Sequence, residues 1–166
     1  MTGSRPGKTP GLFHGADGTS MTYHISTDKT RLDLDAIYRF LSEIAYWSHG
    51  IPRELFLTSV ENSRCYGAYT ADGTQAAFAR VITDYATFGY IADVFVLPDH
   101  RGRGVSKQLV AAITEDPELK EVRRLSLITD HAHELYRQFG FDEIADAPRR
   151  MDLKRAGTYG KAPYPC

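Results

Sequence analysis

Arg101-Gly102-Arg103-Gly104-Val105-Ser106 lies between a strand-like run at 91–97 with its breaker Pro98-Asp99-His100 and a helix-like run at 107–113. A glycine-rich turn that opens a helix is a place to hold phosphate. The first N–H groups of a helix have no carbonyl partner, and the macrodipole puts partial positive charge at the same end. Gly102 and Gly104 let the backbone come close to a ligand, and Arg101 and Arg103 add cations for phosphate oxygens. The alternative for the hexamer is a tight surface turn carrying two solvated arginines.

Other residues offer chemistry of a different kind. Asp93 interrupts an otherwise apolar strand, where an ionised carboxylate needs a partner. It could bind a substrate ammonium and relay its proton through water, or pair structurally with an arginine such as Arg80. Glu54 and Asp84 are further carboxylate candidates. Tyr46, Trp47 and His49, in a connection that runs to Gly50-Ile51-Pro52, could form an aromatic wall with a polar handle for a small ligand, or simply pack a helix end. Cys65 reads as a small buried hydrophobe. His131 and His133 stand two apart on a predicted helix and point to different faces, so no metal site is expected.

The elements that must position these residues follow from pattern. Residues 1–20 read as a flexible, Gly/Pro/Ser/Thr-rich extension, 21–155 as one folded domain and 156–166 as a tail. A strand is predicted at 23–27 and a helix at 34–46 whose inward face carries Leu34, Ile37, Tyr38, Leu41, Ile44 and Ala45. A second helix starts after Pro52 and runs to about Glu61 with Leu55, Phe56 and Val60 inward. Strands at 65–69 and 76–83 flank an Asp72-Gly73 hairpin signal, and 88–97 reads as a long central strand. After the glycine turn a helix ends near Pro117. A strand at 125–129, a helix at 131–139 closed by Gly140, and a last strand at 149–153 follow, with a further short strand at 143–145.

The formal net charge of −1 and the absence of a long apolar run argue against a polyanionic partner or a membrane span, so no nucleic acid and no membrane is expected and a cytoplasmic location is the default.

A second block downstream of the turn makes the pattern more specific. Ala132, Leu135, Tyr136, Gly140 and Phe141 follow Val94-Phe95-Val96-Leu97-Pro98-x-x-Arg101-Gly102-x-Gly104 in fixed order. Together these resemble the GNAT acetyltransferases, most closely over residues 88–141. The resemblance implies a single-domain α/β fold, a mixed and mostly antiparallel sheet flanked by helices, in which two parallel strands splay apart around the pantetheine arm. It implies acetyl-CoA as cosubstrate, held by backbone from Val96 or Leu97 through Arg101, Gly102, Arg103, Gly104 and Val105 to Ser106, with Lys107 nearby.

Tyr136 matches the family tyrosine that protonates the departing thiolate; its alternative is a packed core tyrosine. Ser106 replaces the usual Gly or Ala, and Thr129 stands where Asn often contacts the pantetheine arm. The activity implied is N-acetylation of a primary amine, on a small molecule or peptide, by direct attack in a ternary complex. A non-catalytic acyl-CoA-binding module is the principal alternative, and an aminoacyl-tRNA acetylating toxin is disfavoured by the charge. Dimers are frequent in the family, so a homodimer is compatible with the resemblance.

Overall fold

The computed structural model describes residues 23–145, 147–153, 155 and 159. The expected extension at 1–20 lies outside the described residues, as does nearly all of the tail at 156–166. Five strands form one sheet in the order β1-β2-β3-β4-β5: β1 (His24–Ser26), β2 (Arg64–Tyr69), β3 (Gln75–Thr83), β4 (Gly89–Val96) and β5 (Leu125–Ser126). Neighbours are antiparallel except β4 and β5, which are parallel. The helices are α1 (Leu34–Arg39), α2 (Arg53–Glu61), α3 (Val105–Thr114) and α4 (His133–Arg137).

Strand alternation divides the core into two layers. From β3, Ala77, Ala79 and Val81 pack with Val105, Leu109 and Ile113 of α3, while Phe78 joins Ile37, Phe56 and Val60 on the face covered by α1 and α2. Leu109 and Ile113 are fully buried, and truncating either to alanine would cost about 2–5 kcal/mol. The β2–β3 turn forms as the sequence signals, with Gly73 at φ +87 and its N–H donating to the Thr70 carbonyl at 3.0 Å.

Two elements differ from expectation in ways that matter for the site. The first helix does not run as a regular α-helix to 46. It widens into a π-helical segment, Phe40–Ile44, and stops where Ala45 turns extended. A wider turn shifts the inward positions by one residue, so Ala45 is buried and Ile44, expected inside, is 59% exposed. Phe40 thereby stacks on Phe95 of β4 at 3.9 Å between ring centroids. Leu55, also expected inward, is exposed on α2.

The second difference is at the far edge of the sheet. The strand expected at 125–129 pairs with β4 only at Gly89↔Leu125 and Tyr90↔Ser126, and then leaves it. Ile91 to Val96 therefore have no β5 partner along that edge. The strands expected at 143–145 and 149–153 do not form among the described residues: 143–144 is irregular with a turn at 145, and Ala147–Arg149 is a 3-10 turn. With Pro148 at its centre, that turn lacks one of the N–H groups a ladder would use.

Candidate active site

β4 carries one end of the site. Its register against β3 slips between Phe78↔Phe95 and Arg80↔Ala92, so that Asp93 and Val94 together oppose Ala79. This is a β-bulge, and Asp93 sits in it at φ +52, a left-handed conformation that aspartate tolerates better than most residues. The bulged carboxylate lies on the α1/α2 side of the sheet. Arg80 Nε donates to Asp93 Oδ2 at 2.5 Å, and Trp47 Nε1 donates to Oδ1 at 3.0 Å. The Arg80 and Asp93 side chains are 14% and 9% exposed, so the pair is largely desolvated. Arg80 also reaches Ser63 Oγ at 3.1 Å. The structural pairing of Asp93 with Arg80 is thus real, and both carboxylate oxygens are engaged.

At the C-terminal end of β4, the Leu97 N–H donates to the Ala76 carbonyl at 2.9 Å. Of the two expected backbone contacts, the Leu97 amide is thus already paired within the sheet. Alternation along the strand turns the Val96 N–H to the opposite edge, the one β5 has left. The Val96 carbonyl accepts from Arg101 Nε at 3.1 Å, which folds the arginine back against the strand.

A 3-10 turn, Pro98–His100, then leads into the glycine turn. Gly102 and Gly104 have φ of +73 and +76, conformations glycine reaches without strain. A Cβ added at either would meet no protein atom within 4 Å, so the space above the turn is open. Gly104 is the N-cap of α3 and supplies no capping side chain, and Val105 at the first helical position is buried. The helix start thus presents backbone N–H groups and the dipole to that open space. These features fit a pyrophosphate, which an ordinary exposed turn would not require.

Across the gap, the residues after β5 and those of α4 enclose a cavity of about 280 Å³ walled by 125–129, His133, Tyr136, Phe141 and Ile144 among others. Tyr136 is only 7% exposed and packs edge-on to Phe141 at 5.8 Å. Burial pushes its phenol above the usual value. Thr129 Oγ1 accepts the Ala132 N–H at 3.0 Å, so its hydroxyl caps the turn into α4. Gly140 at φ +84 closes that helix, and the Phe141 N–H returns to the Tyr136 carbonyl at 3.3 Å.

The loop after the π-helical segment joins the two sides. Trp47 is tied to Asp93 on β4, and the Tyr46 hydroxyl donates to Asp130 Oδ2 just beyond β5. The two rings meet edge to face at 5.1 Å and are 49% and 44% exposed for Tyr46 and Trp47. The Asp130 carboxylate raises the Tyr46 phenol above its usual value, with a smaller contribution from desolvation. His49, expected beside them, has its Nδ1 buried without a hydrogen-bond partner.

The structure therefore brings Tyr46, Trp47 and Asp93 together, and separately Tyr136 and Thr129 across the gap, with Asp130 next to Thr129 taking the Tyr46 hydroxyl. Of the weaker carboxylate candidates, Asp84 is consumed by its own turn. It accepts N–H groups from Ala86, Thr87 and Phe88, and these bonds, led by the Thr87 hydroxyl, hold its carboxyl well below the usual range. Glu54 is exposed in the first turn of α2. Asp130 was not anticipated, because its link to Tyr46 spans 84 residues and no local pattern marks it. Cys65 is buried, its thiol pushed up to about 11 by burial. Among the described residues no His/Cys/Asp/Glu group is arranged to hold a metal, and no helix is long and apolar enough to cross a membrane.

Comparison with known proteins bears on the whole arrangement. Residues 34–141 match the model of the acetyltransferase (GNAT) family. A Gibberella zeae protein named as a candidate acetyltransferase is 30% identical over 146 residues, covering 75% of this chain and 81% of that one. The crystal structure of a candidate GNAT acetyltransferase from Xanthomonas campestris pv. campestris is 46% identical, with a TM-score of 0.79 over 83% of this chain and 96% of that one. A Clostridium acetobutylicum structure that contains acetyl-CoA shares the fold at 16% identity, with a TM-score of 0.58 over 81% of this chain and 96% of that one. A strand pair that parts beside a glycine turn at a helix start is thus set within matches spanning most of the chain, and the chain belongs to the GNAT acetyltransferase family.

Proposed function

We propose that the protein transfers an acetyl group from acetyl-CoA to a primary amine in a ternary complex. The parting of β4 from β5 directly beside a positive-φ glycine turn supports this most strongly. The amides from Gly102 to Ser106 would bind the pyrophosphate, with Arg101 and Arg103 alongside, and the pantetheine arm would run along the open edge of β4 past Val96. At about 3.3 Å per residue, the bulge at Asp93 lies about 10 Å from Val96, within reach of the thioester end of that arm.

The amine nitrogen would attack the thioester carbonyl, forming the C–N bond as the C–S bond breaks. Tyr136 is proposed to give its phenolic proton to the leaving sulfur; its raised value keeps it protonated at neutral pH. One proton of the ammonium leaves through water before attack, and the second, lost from nitrogen as the amide forms, returns through water to the Tyr136 phenolate. Asp93, with both oxygens already accepting hydrogen bonds, is proposed to anchor the amine electrostatically and orient it, while Tyr46, Trp47 and His49 line the approach. Thr129 shapes the turn into α4 beneath the arm.

Incubation with acetyl-CoA and a panel of amines, with detection of released thiol and mass spectrometry of the amine, tests this. Amine-dependent thiol release with an acetylated product is the expected result. Saturable acetyl-CoA binding without transfer to any amine would favour an acyl-CoA-binding module instead.

A further inference from the structure

Two aromatic side chains connect to Asp93 on β4 and to Asp130 beyond β5. Tyr46 holds Asp130 and Trp47 holds Asp93, and the two half-exposed rings are in contact. Arg80 neutralises Asp93, whereas Asp130 accepts from the Tyr46 hydroxyl and, among the described residues, forms no ion pair. The mouth of the gap thus sets the Asp93 and Asp130 carboxylates around the Tyr46 and Trp47 rings, with the one guanidinium, Arg80, already on Asp93.

Such a surface attracts an ammonium twice over. The ring faces favour a cation, and a carboxylate accepts its N–H groups. It also repels a second carboxylate or a phosphate on the acceptor, because the one guanidinium at the site, Arg80, is already paired with Asp93. The exposed ring faces give apolar area to a hydrocarbon body.

From this we infer that the acceptor is a small primary amine with an apolar, preferably aromatic, body and no anionic group, and that Asp130 sets this specificity. The inference rests on the acetyltransferase reading of the same gap. It excludes amino acids and phosphorylated amino sugars as preferred acceptors.

Trp47 is the only tryptophan, so its fluorescence reports binding without any need for turnover. Titrating the full chain, saturated with coenzyme A, with 2-phenylethylamine, phenylalanine and glucosamine 6-phosphate compares one body with and without a carboxylate and a polar body with a phosphate. The amine should bind about tenfold tighter than either, the scale of one charge-assisted contact. Asp130→Asn should remove most of that preference and Asp130→Glu should restore it; both changes fall on an exposed side chain, away from the core. Equal or tighter binding of phenylalanine or the phosphosugar, or no saturable binding of the amine, would overturn the inference. Calorimetry with acetyl-CoA on the same samples separates this from failure of the underlying reading, because loss of the specificity alone leaves donor binding intact.

Discussion

The glycine turn after β4 and the aromatic loop at 45–52 meet the same strand at two places, its C-terminal end and the bulge at Asp93, and are built from different material. The turn works through backbone: two positive-φ glycines, a helix start and a strand edge without a neighbour. The loop works through side chains that reach 46 and 84 residues along the chain to Asp93 and Asp130. On the proposed reading, a backbone cradle would recognise a group common to every coenzyme A ester and tolerate little change at the glycines. A side-chain mouth can be altered residue by residue without touching the cradle. Donor binding should therefore be brittle and acceptor choice adjustable.

The sharpest test of the brittle half is Gly104→Val. No protein atom opposes the new Cβ, so the fold should survive with only the strain of a branched residue at φ +76, about 1–2 kcal/mol or a few degrees in Tm. Acetyl-CoA affinity should fall by more than about 100-fold by calorimetry, since the side chain occupies the ligand's space. Unchanged affinity in the folded variant would remove the cradle.

Tyr136→Phe should lower kcat by roughly 10- to 1000-fold with little change in acetyl-CoA affinity, the span expected for loss of a general acid. Unchanged kcat in rate-limiting chemistry would return Tyr136 to the packing role that its contact with Phe141 also supports.

Asp116 provides a control remote from both halves. It is buried and accepts from Arg64, the Tyr66 hydroxyl and the Glu118 N–H. Burial acts to raise its carboxyl, but these bonds outweigh burial and hold it below the usual range. A depressed folded value means that its stabilisation is present above the unfolded value of about 3.9 and is lost as pH falls through the folded one. Asp116→Asn should cost about 2–4 kcal/mol at pH 7 and make the loss of stability below pH 4 shallower in denaturant titrations, with ligand affinities per folded molecule unchanged. A parallel loss of acetyl-CoA affinity would blur the separation of site from scaffold.

Asp93→Asn should have the smallest effect, and it sharpens the adjustable half. It leaves Arg80 without its charge partner, so about 1–3 kcal/mol of stability is lost by thermal melting. Acetyl-CoA affinity should stay near normal while KM for the amine rises. If donor and acceptor affinity fall together, Asp93 is part of the scaffold alone.

The same contrast explains what was legible in the sequence. The turn, its strand and its helix are local patterns, and the positive-φ glycines and helix start at Arg101 to Ser106 were legible because spacing carries backbone geometry. The π-helical segment at Phe40–Ile44 was not legible: an apolar face at 3.6-residue period places Ile44 inside, and only stacking of Phe40 on Phe95 favours the wider turn. The early departure of β5 from β4 was foreseen only through family resemblance, since the apolar residues 125–129 read equally well as a full strand. Asp130 was invisible because a tyrosine–aspartate contact across 84 residues leaves no periodicity. For Asp93, the sequence offered Arg80 as a partner, and the bulge joins them.

The central claim, that donor is held by backbone along the edge β5 leaves, is tested most directly by amide NMR during titration with acetyl-CoA. The largest shifts should fall on Val96 and on Gly102 through Ser106, while Leu97, already bonded to Ala76, moves less. Shifts centred on the Arg64–Asp116 cluster, or none at saturating acetyl-CoA, would contradict it.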